Sequence, residues 1–174
     1  MEFFEVLESR HSYRGPYSDA PVPREDLLKI AEAGRLAPSG KNAQTTHFVL
    51  IDEPAILKKL SELIERPASL KTAKAAIALV AKPDRVFYGH SFHVEDLAAA
   101  TQNMLLAATA LGYASVWVEG SLMLNGIAEQ INEMLNVPAG QCVLVLLPIG
   151  VPAETGPLPI KKPLEERMVF NHFE

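Results

Sequence analysis

The sequence predicts an α+β or three-layer domain, and three observations lead to this fold class. Short apolar segments typical of buried strands alternate with amphipathic helical segments along most of the chain. A chain of 174 residues that is 48% hydrophobic can bury a substantial core. No internal repeat or low-complexity block divides the chain. We therefore predict one domain over residues 1–174, in which residues 152–174 extend past the main body.

The first half of the chain contains signals for two helices and two strands. Residues 21–36 begin with a proline followed by Glu25 and Asp26, acids that favour a helix N-terminus, and Pro38-Ser39-Gly40 ends the helix. Residues 47–51, HFVLI, have the pattern of a buried strand. Residues 55–64 place their apolar side chains on one helical stripe. Residues 75–81, AAIALVA, predict a second buried strand.

The second half continues the alternation. Residues 94–111 contain no Gly or Pro and end before Gly112, which predicts a long helix. Because its alanines lie on several faces, we expect this helix to be buried all round, as at a subunit interface. Residues 114–118 predict a third strand, 124–135 a further amphipathic helix and 142–150 a fourth strand.

Composition excludes several classes of protein. A formal net charge of −5 argues against a general nucleic-acid or membrane-surface binder, which would be basic. No run of 18 apolar residues predicts a spanning helix, and the acidic start MEFFEVLESR is not typical of a secretory signal. The one cysteine, Cys142, permits no internal disulfide and suits a reducing compartment. We therefore expect a cytoplasmic protein.

The segment ESRHSYRGPYS, residues 8–18, concentrates positive charge near the start of the chain. Arg10, Ser12 and Arg14 alternate, so in extended backbone their side chains would project to one side. Two guanidinium groups and a hydroxyl on one face suit a phosphate, because arginine offers bidentate donors. The alternative is a solvated surface on which the arginines pair with the carboxylates of Glu5, Glu8 or Asp19.

Two further polar segments have a functional and a purely structural interpretation. LAPSGKNAQ, residues 36–44, can present amide and hydroxyl groups to a planar polar ligand, or it can be an ordinary turn. WVEGS, residues 117–121, ends a strand at Gly120, where a ligand could approach the backbone closely. A turn at the end of the strand is the alternative.

Together and in this order, these segments resemble the FMN-dependent nitroreductase family. The resemblance begins at Arg10, His11, Ser12 and Arg14 and continues through A-P-S-x-x-N-x-Q at residues 37–44. It extends through EDLAAATQNMLLAATALGYASVWVEG at residues 95–120 and ends with LLPIGVPAE and IKKPLEE near the C-terminus. The similarity therefore covers nearly the whole chain.

The resemblance implies a mostly antiparallel sheet flanked by helices, in a homodimer that exchanges C-terminal strands and holds one FMN in each of two interface sites. It implies that Arg10, His11, Ser12 and Arg14 hold the phosphate and the pyrimidine edge of the flavin, together with Lys161 or Lys162. The partner subunit would supply Pro38, Ser39, Gly40 and Asn42. Backbone N–H groups of Val118, Glu119 and Gly120 would face the flavin.

The activity implied by the resemblance is reduction of nitroaromatics, quinones or similar flat acceptors by NAD(P)H, in a two-electron ping-pong scheme. Backbone donors and a cation can stabilise the reduced cofactor, so no catalytic side chain is expected. The main alternative is a flavin-binding redox sensor or electron-transfer protein that has no dedicated small-molecule substrate.

Three features depart from the family pattern or add to it. Thr45-Thr46 replaces the Pro-Trp pair of many relatives, and the short connection 82–93 predicts a small lid. In that connection Phe87, Tyr88 and Phe92 are either substrate-stacking residues or ordinary interface or core aromatics. His90 and His93 have a weak metal-like spacing with Glu95 and Asp96, but no third ligand is suitably spaced, so we expect no metal.

Overall fold

A four-stranded antiparallel sheet with helices on both faces lies at the centre of the protein. The structure is a computed structural model that describes residues 2–83 and 86–173. Each pair of neighbouring strands is antiparallel, in the order β1-β2-β4-β3. The predicted α+β class is confirmed. The strands are β1 (Thr46–Ile51), β2 (Ala75–Ala81), β3 (Ala114–Ser115) and β4 (Cys142–Gly150).

Two helical layers cover the sheet. One face packs against α2 and α4, and the other against α3 and α5. No helix in the described ranges is long and apolar enough to cross a bilayer. The helices are α1 (Phe3–Ser9), α2 (Arg24–Arg35), α3 (Pro54–Leu63), α4 (His93–Ala110) and α5 (Ile127–Met134).

The position of strand β2 in the sheet explains why apolar and polar residues do not alternate in its sequence. Ile77 and Leu79 belong to the α2/α4 core, whereas Ala76, Ala78 and Val80 belong to the α3/α5 core. Every residue of β2 is buried, because helices cover both faces of the sheet. The predicted limits of β2 and β4 are confirmed.

Helix α4 matches its predicted limits within one residue but is not buried all round. Its fully buried stripe includes Leu97, Met104 and Leu105, while most of its remaining faces are half-buried. Gly112, with φ of 85°, follows the helix end as predicted. In the single chain α4 is therefore fully buried along one stripe, and burial of its other faces at a subunit interface stays a prediction.

Two other elements are shorter than predicted. Strand β3 covers only Ala114–Ser115, and beyond it a single bridge joins Val118 to Leu146 of β4. Helix α5 begins at Ile127 rather than near residue 124, since Asn125 and Gly126 adopt left-handed backbone conformations. A 3₁₀ helix, Gly120–Met123, precedes this turn.

Residues 10–18 are fixed to the sheet by Tyr17. Its hydroxyl donates to the Pro148 carbonyl at 3.0 Å, and its N–H donates to Thr72 Oγ1 at 2.8 Å. Its ring lies against Gly150, where a Cβ would come within 2.5 Å of Cγ. Burial raises the pKa of Tyr17 well above its usual value, so the hydroxyl stays a donor. This attachment places the N-terminal segment along the β3 edge.

The C-terminal segment 152–173 is almost entirely exposed. It has no β-strand in its described residues, and its regular element is a 3₁₀ helix at Leu164–Glu166. Ile160, Phe170 and Phe173 are among its exposed apolar side chains. This apolar tail therefore has little contact with its own chain.

We expect Gly34→Ala to destabilise the packing of α2 on α4. A Cβ at Gly34 would lie 2.3 Å from Met104 Cε and 3.0 Å from Met104 Cγ, and both residues are buried. An added methyl group in a packed core costs about 1–3 kcal/mol. That exceeds the roughly 1 kcal/mol that alanine gains over glycine in a helix. Urea denaturation should show a lower free energy of unfolding.

Gly120→Ala is the matched control, because no atom lies within 4 Å of the Cβ it would add. It should leave stability unchanged within error. Wild-type stability in Gly34→Ala would contradict the prediction and show that Met104 can move aside.

Candidate functional site

The arginine segment, residues 10–14, runs along the β3 edge of the sheet. Ser12 forms a parallel bridge with Ser115, and the Tyr13 N–H donates to the Ser115 carbonyl at 2.9 Å. Tyr13 is buried, and since side chains alternate along extended backbone, Ser12 and Arg14 lie on the outer side. Arg10 and Ser12 are half-buried, whereas Arg14 is exposed.

Neither arginine forms an ion pair with a carboxylate within residues 2–83 and 86–173. Two candidate acids have other partners: Glu5 accepts a backbone N–H at the start of α1, and Asp19 accepts from Lys74 Nζ at 2.8 Å. Arg14 donates to the Ser12 carbonyl at 3.3 Å. The positive charge of this segment is therefore available to an external anion.

Two polar atoms beside the arginine segment are buried without a hydrogen-bond partner among the described residues, His11 Nε2 and Ser115 Oγ. His11 Nδ1 lies 2.9 Å from the Ser9 carbonyl, which can only accept, so Nδ1 carries a proton, and in the neutral ring Nε2 is then an acceptor. Buried polar atoms normally have partners, and exceptions mark strain or an interaction made with another molecule.

The segment Val118–Gly120 also lies at this edge, but its three N–H groups differ. Val118 is buried, and its N–H donates to the Leu146 carbonyl at 3.0 Å. The N–H groups of Glu119 and Gly120 make no hydrogen bond within the part of the chain that the structure describes. The Glu119 carboxylate accepts from Trp117 Nε1 at 2.9 Å. Two backbone donors, rather than the three expected, are therefore free here.

The loop 37–45 precedes β1 and has a strained backbone. Lys41, Asn42 and Gln44 have φ values of 55°, 55° and 51°, in the left-handed region that non-glycine residues seldom adopt. Ser39 Oγ accepts the Gln44 N–H at 3.1 Å and closes the turn. Pro38 and Asn42 are exposed, and Ser39 and Gly40 are half-buried. The loop thus presents polar groups at one edge of a cleft of about 180 Å³.

A buried carboxylate on α4 holds this loop. Asp96 Oδ1 accepts the Gly40 N–H at 2.7 Å, and Oδ2 accepts the Thr45 hydroxyl at 2.8 Å. Asp96 is 5% exposed and Thr45 is 2% exposed. This role of Asp96 is not visible in the sequence, where the residue stands out only through its weak metal-like spacing with His90 and His93. Thr45, identified there only as a departure from the family pattern, is one of the two donors.

The arginine segment and the loop 37–45 lie apart within one chain. The loop meets the end of β2 at Ala81, where the Lys82 N–H donates to the Thr45 carbonyl. The arginine segment meets Ser115, whose partner Ile149 pairs with Ala75 at the opposite end of β2. Seven residues of strand span about 20 Å. A single chain therefore does not bring these two sets of predicted residues together.

The aromatic tip, Phe87, Tyr88 and Phe92, lies beside the loop 37–45. Phe87 and Tyr88 are exposed and pack edge to face with ring centroids 4.5 Å apart. Phe92 is half-buried and lies against Gly40, where a Cβ would come within 2.4 Å of its ring. Residues 84 and 85 of the predicted small lid lie outside the described residues.

The remaining predicted residues lie elsewhere. Lys161 and Lys162 are exposed in the C-terminal tail, and Lys162 pairs with Glu166 at 3.7 Å.

No cluster of three His, Cys, Asp or Glu side chains suited to a metal occurs in the described ranges. Of the four residues with metal-like spacing, Asp96 holds the loop and His93 contacts Ser91 Oγ through Nδ1 at 2.9 Å.

Comparison with known proteins identifies a family over most of the chain. A family profile described as the nitroreductase family matches residues 7–86 and 68–151. A protein of Archaeoglobus fulgidus, provisionally named NADH dehydrogenase/NAD(P)H nitroreductase, is 36% identical over 153 residues. That alignment covers 88% of this chain and 87% of the relative.

Solved structures agree with this assignment of the fold. A provisionally named NADH dehydrogenase/NAD(P)H nitroreductase of Bacteroides thetaiotaomicron has a TM-score of 0.85 at 28% identity, covering 98% of this chain and 97% of its own. A provisionally named nitroreductase of Desulfovibrio desulfuricans, solved in complex with FMN, has a TM-score of 0.82 at 29% identity. The second match covers 100% of this chain and 99% of the other.

Asp96→Ala should release the loop 37–45 and destabilise the protein. It leaves the Gly40 N–H and the Thr45 hydroxyl without an acceptor, and each unsatisfied buried group costs about 1–3 kcal/mol. We expect a lower free energy of unfolding and faster hydrogen exchange at the Gly40 amide. Asp96→Asn, which keeps one acceptor oxygen, should lose less.

Glu95→Ala is the control, since Glu95 is an exposed carboxylate in the same helical turn. It should leave exchange at Gly40 unchanged and cost only about 0.3–1 kcal/mol, for the loss of one exposed charge from the helix N-terminus. If Asp96→Ala kept wild-type exchange at Gly40, the carboxylate would not be what holds the loop.

Proposed function

Since this chain belongs to the nitroreductase family, we propose that it is an FMN-dependent oxidoreductase that uses NAD(P)H to reduce nitroaromatics, quinones or similar flat acceptors. The observation that carries the proposal is the pair of arginines at the β3 edge that lack carboxylate partners among the described residues. The FMN complex of the Desulfovibrio desulfuricans relative supports the choice of cofactor.

The residues at the β3 edge fit the phosphate end of FMN. Arg10 and Arg14 can donate charge-assisted hydrogen bonds to phosphate oxygens, and Ser12 adds a hydroxyl between them. His11 Nε2 is an acceptor without a partner among the described residues, which suits an N–H or O–H of the cofactor. Lys161 and Lys162 of the tail would add positive charge.

The ring end of FMN would meet backbone donors. The free N–H groups of Glu119 and Gly120 can donate to an acceptor atom of the ring, and Gly120 leaves open space in front of them. Val118 would then support this segment through its pair with Leu146 rather than bind the cofactor itself. When bound, FMN would accept a hydride from NAD(P)H and pass two electrons to the acceptor. Positioned backbone donors favour the negative charge that develops, so no side chain needs to act as an acid.

A second copy of the chain would complete each site. Pro38, Ser39, Gly40 and Asn42 lie about 20 Å from the arginine segment within one chain, judged from the length of β2. We propose that a homodimer brings the loop of one copy to the arginine segment of the other. A two-fold axis would then form two equal sites.

Exposed apolar surface supports the dimer. Phe3 and Phe4 of α1 are 63% and 74% exposed, and Phe170 and Phe173 of the tail are 81% and 91% exposed. The β1 strand is an edge of the sheet in the described residues, and such an edge can pair with another chain. An exchanged tail would cover apolar surface that a monomer leaves in water.

Arg14→Glu should weaken FMN binding far more than folding, because it replaces a charge-assisted contact with repulsion. Loss of one such hydrogen bond costs about 1.5–3 kcal/mol, which corresponds to roughly a 10- to 100-fold increase in Kd. The measurement is an FMN titration followed by visible absorbance, with urea denaturation alongside. Arg24→Glu, which reverses a charge on α2 where Arg24 pairs with Asp52, should keep the wild-type Kd.

The wild-type holoprotein is then assayed for NAD(P)H oxidation with a panel of quinones and nitroaromatics. Turnover supports the proposed activity. Stoichiometric FMN without turnover of any acceptor would favour the redox sensor or electron-transfer protein, and a protein that takes up no FMN would contradict both.

Truncation after Pro163 should weaken the dimer and release the flavin together. The deletion removes Met168, Val169, Phe170 and Phe173, which we expect to pack on the partner. The measurement is light scattering and flavin absorbance across a dilution series. A full-length Lys161→Ala/Lys162→Ala variant is the control, since it should bind FMN more weakly but stay dimeric. A truncated protein that is dimeric and fully loaded at high dilution would rule out the exchange.

A further inference from the structure

We infer that Lys41 and the aromatic tip form an acceptor subsite that selects flat aromatic molecules bearing an anionic substituent such as a carboxylate. This inference rests on the proposed function and names the substrate class of that same site. Its basis is the juxtaposition of an exposed ammonium group with three aromatic rings beside the loop 37–45.

The Lys41 ammonium has an aromatic neighbour and no carboxylate partner. Its Nζ lies 4.9 Å from the centroid of the Phe87 ring. Lys29, Lys58 and Lys74 each pair with a carboxylate, whereas no ion pair of Lys41 occurs within the described residues. A cation held over a ring in this way attracts an anion while the ring contacts the apolar part of the same ligand.

The aromatic tip exposes two rings, Phe87 and Tyr88, which meet edge to face. Tyr88 is 89% exposed and Phe87 is 40% exposed, at the end of a tight turn that the Phe87 and His90 backbones close at 2.8 Å. Tyr88 and Gly89 have φ values of 45° and 81°, as two left-handed residues at the centre of a hairpin turn require. Exposed aromatic pairs of this kind are typical of surfaces that stack on a planar ligand.

The backbone at Lys41 limits where its ammonium can reach. The preceding residue, Gly40, is held by Asp96 at 2.7 Å and packs on Phe92. Lys41 itself is left-handed, so the direction of its side chain is set by the strained turn. The cation and the rings are thus parts of one local structure rather than independent surface groups.

Charge on the rest of the protein does not explain a preference for anions. The net charge is −5, so long-range attraction would disfavour them. A preference for an anionic acceptor must therefore come from a local cation, and Lys41 lies within the loop that the proposed function assigns to the flavin site.

The test compares two acceptors of similar size, 4-nitrobenzoate and neutral 4-nitrobenzamide, in the FMN-loaded protein. Lys41→Met removes the charge and keeps the length of the side chain. We expect KM for 4-nitrobenzoate to rise about five-fold, as for loss of one partly exposed ion pair, with little change in kcat or in KM for 4-nitrobenzamide. Lys41→Arg should keep the preference, and Lys59→Met on α3 should behave as wild type.

A binding measurement separates this inference from the proposed activity. Benzoate, which cannot be reduced, is titrated into the oxidised holoprotein by calorimetry, and its Kd should rise in Lys41→Met and in Tyr88→Ala. Equal losses for both nitro compounds, or an effect confined to KM for NADPH, would overturn the inference and leave the oxidoreductase standing. If neither acceptor is reduced, the proposed activity fails, and unchanged benzoate binding in Lys41→Met would overturn the inference separately.

Discussion

Burial of both faces of the β2–β4 strand pair is the constraint on which the rest of the structure depends. Helices α2 and α4 cover one face and α3 and α5 the other, so these strands consist almost wholly of apolar residues. A sheet covered in this way has no polar surface at its centre, and polar ligand-binding groups must lie at its edges and ends. The arginine segment lies along β3 at one edge, and the loop 37–45 leads into β1 at the other. The separation of the two sets of predicted residues is therefore a consequence of the buried sheet, and the proposed second copy of the chain would bring them together.

The loop 37–45 shows how a buried charge can determine the shape of a binding surface. A non-glycine residue in the left-handed region costs on the order of 1–3 kcal/mol, and Lys41, Asn42 and Gln44 all adopt it. A hydrogen bond to a charged acceptor contributes about 1.5–3 kcal/mol, and Asp96 accepts two. These magnitudes are similar, so the turn depends on the carboxylate. The first turn of α4 makes its burial tolerable, because the helix dipole favours negative charge there.

The sequence predicted most accurately the elements whose pattern of apolar and polar residues fits one kind of structure best. Uninterrupted apolar runs at β2 and β4 allowed their limits to be predicted, since runs of this length are typical of strands covered on both faces. Strand β3 was predicted too long because Val116 and Val118 are as buried as strand residues although the ladder has ended. The contacts of the candidate site were harder to predict, because they join residues that are distant in the chain. The spacing of the arginines suits an anion but also fits a solvated surface, and the resemblance to a family was needed to choose between them. The partner of Val118 and the donors to Asp96 lie 28 to 56 residues away in the chain, where no local pattern indicates them.

The ion pairs of the basic residues provide an argument about the arginine segment that does not depend on family membership. Arg24, Arg35 and Lys74 each have a carboxylate partner, and such exposed pairs contribute at most about 1 kcal/mol. An exposed arginine without a partner, such as Arg14, is therefore only weakly informative by itself. Arg10 is different because the residue is half-buried and has no carboxylate partner within the described residues. A bound anion would interact more strongly with Arg10 than with an arginine on an open surface, because partly buried charge pairs are screened less. The partial burial of Arg10, with Ser12 and Arg14 beside it, thus favours the proposed anion anchor over a merely basic surface.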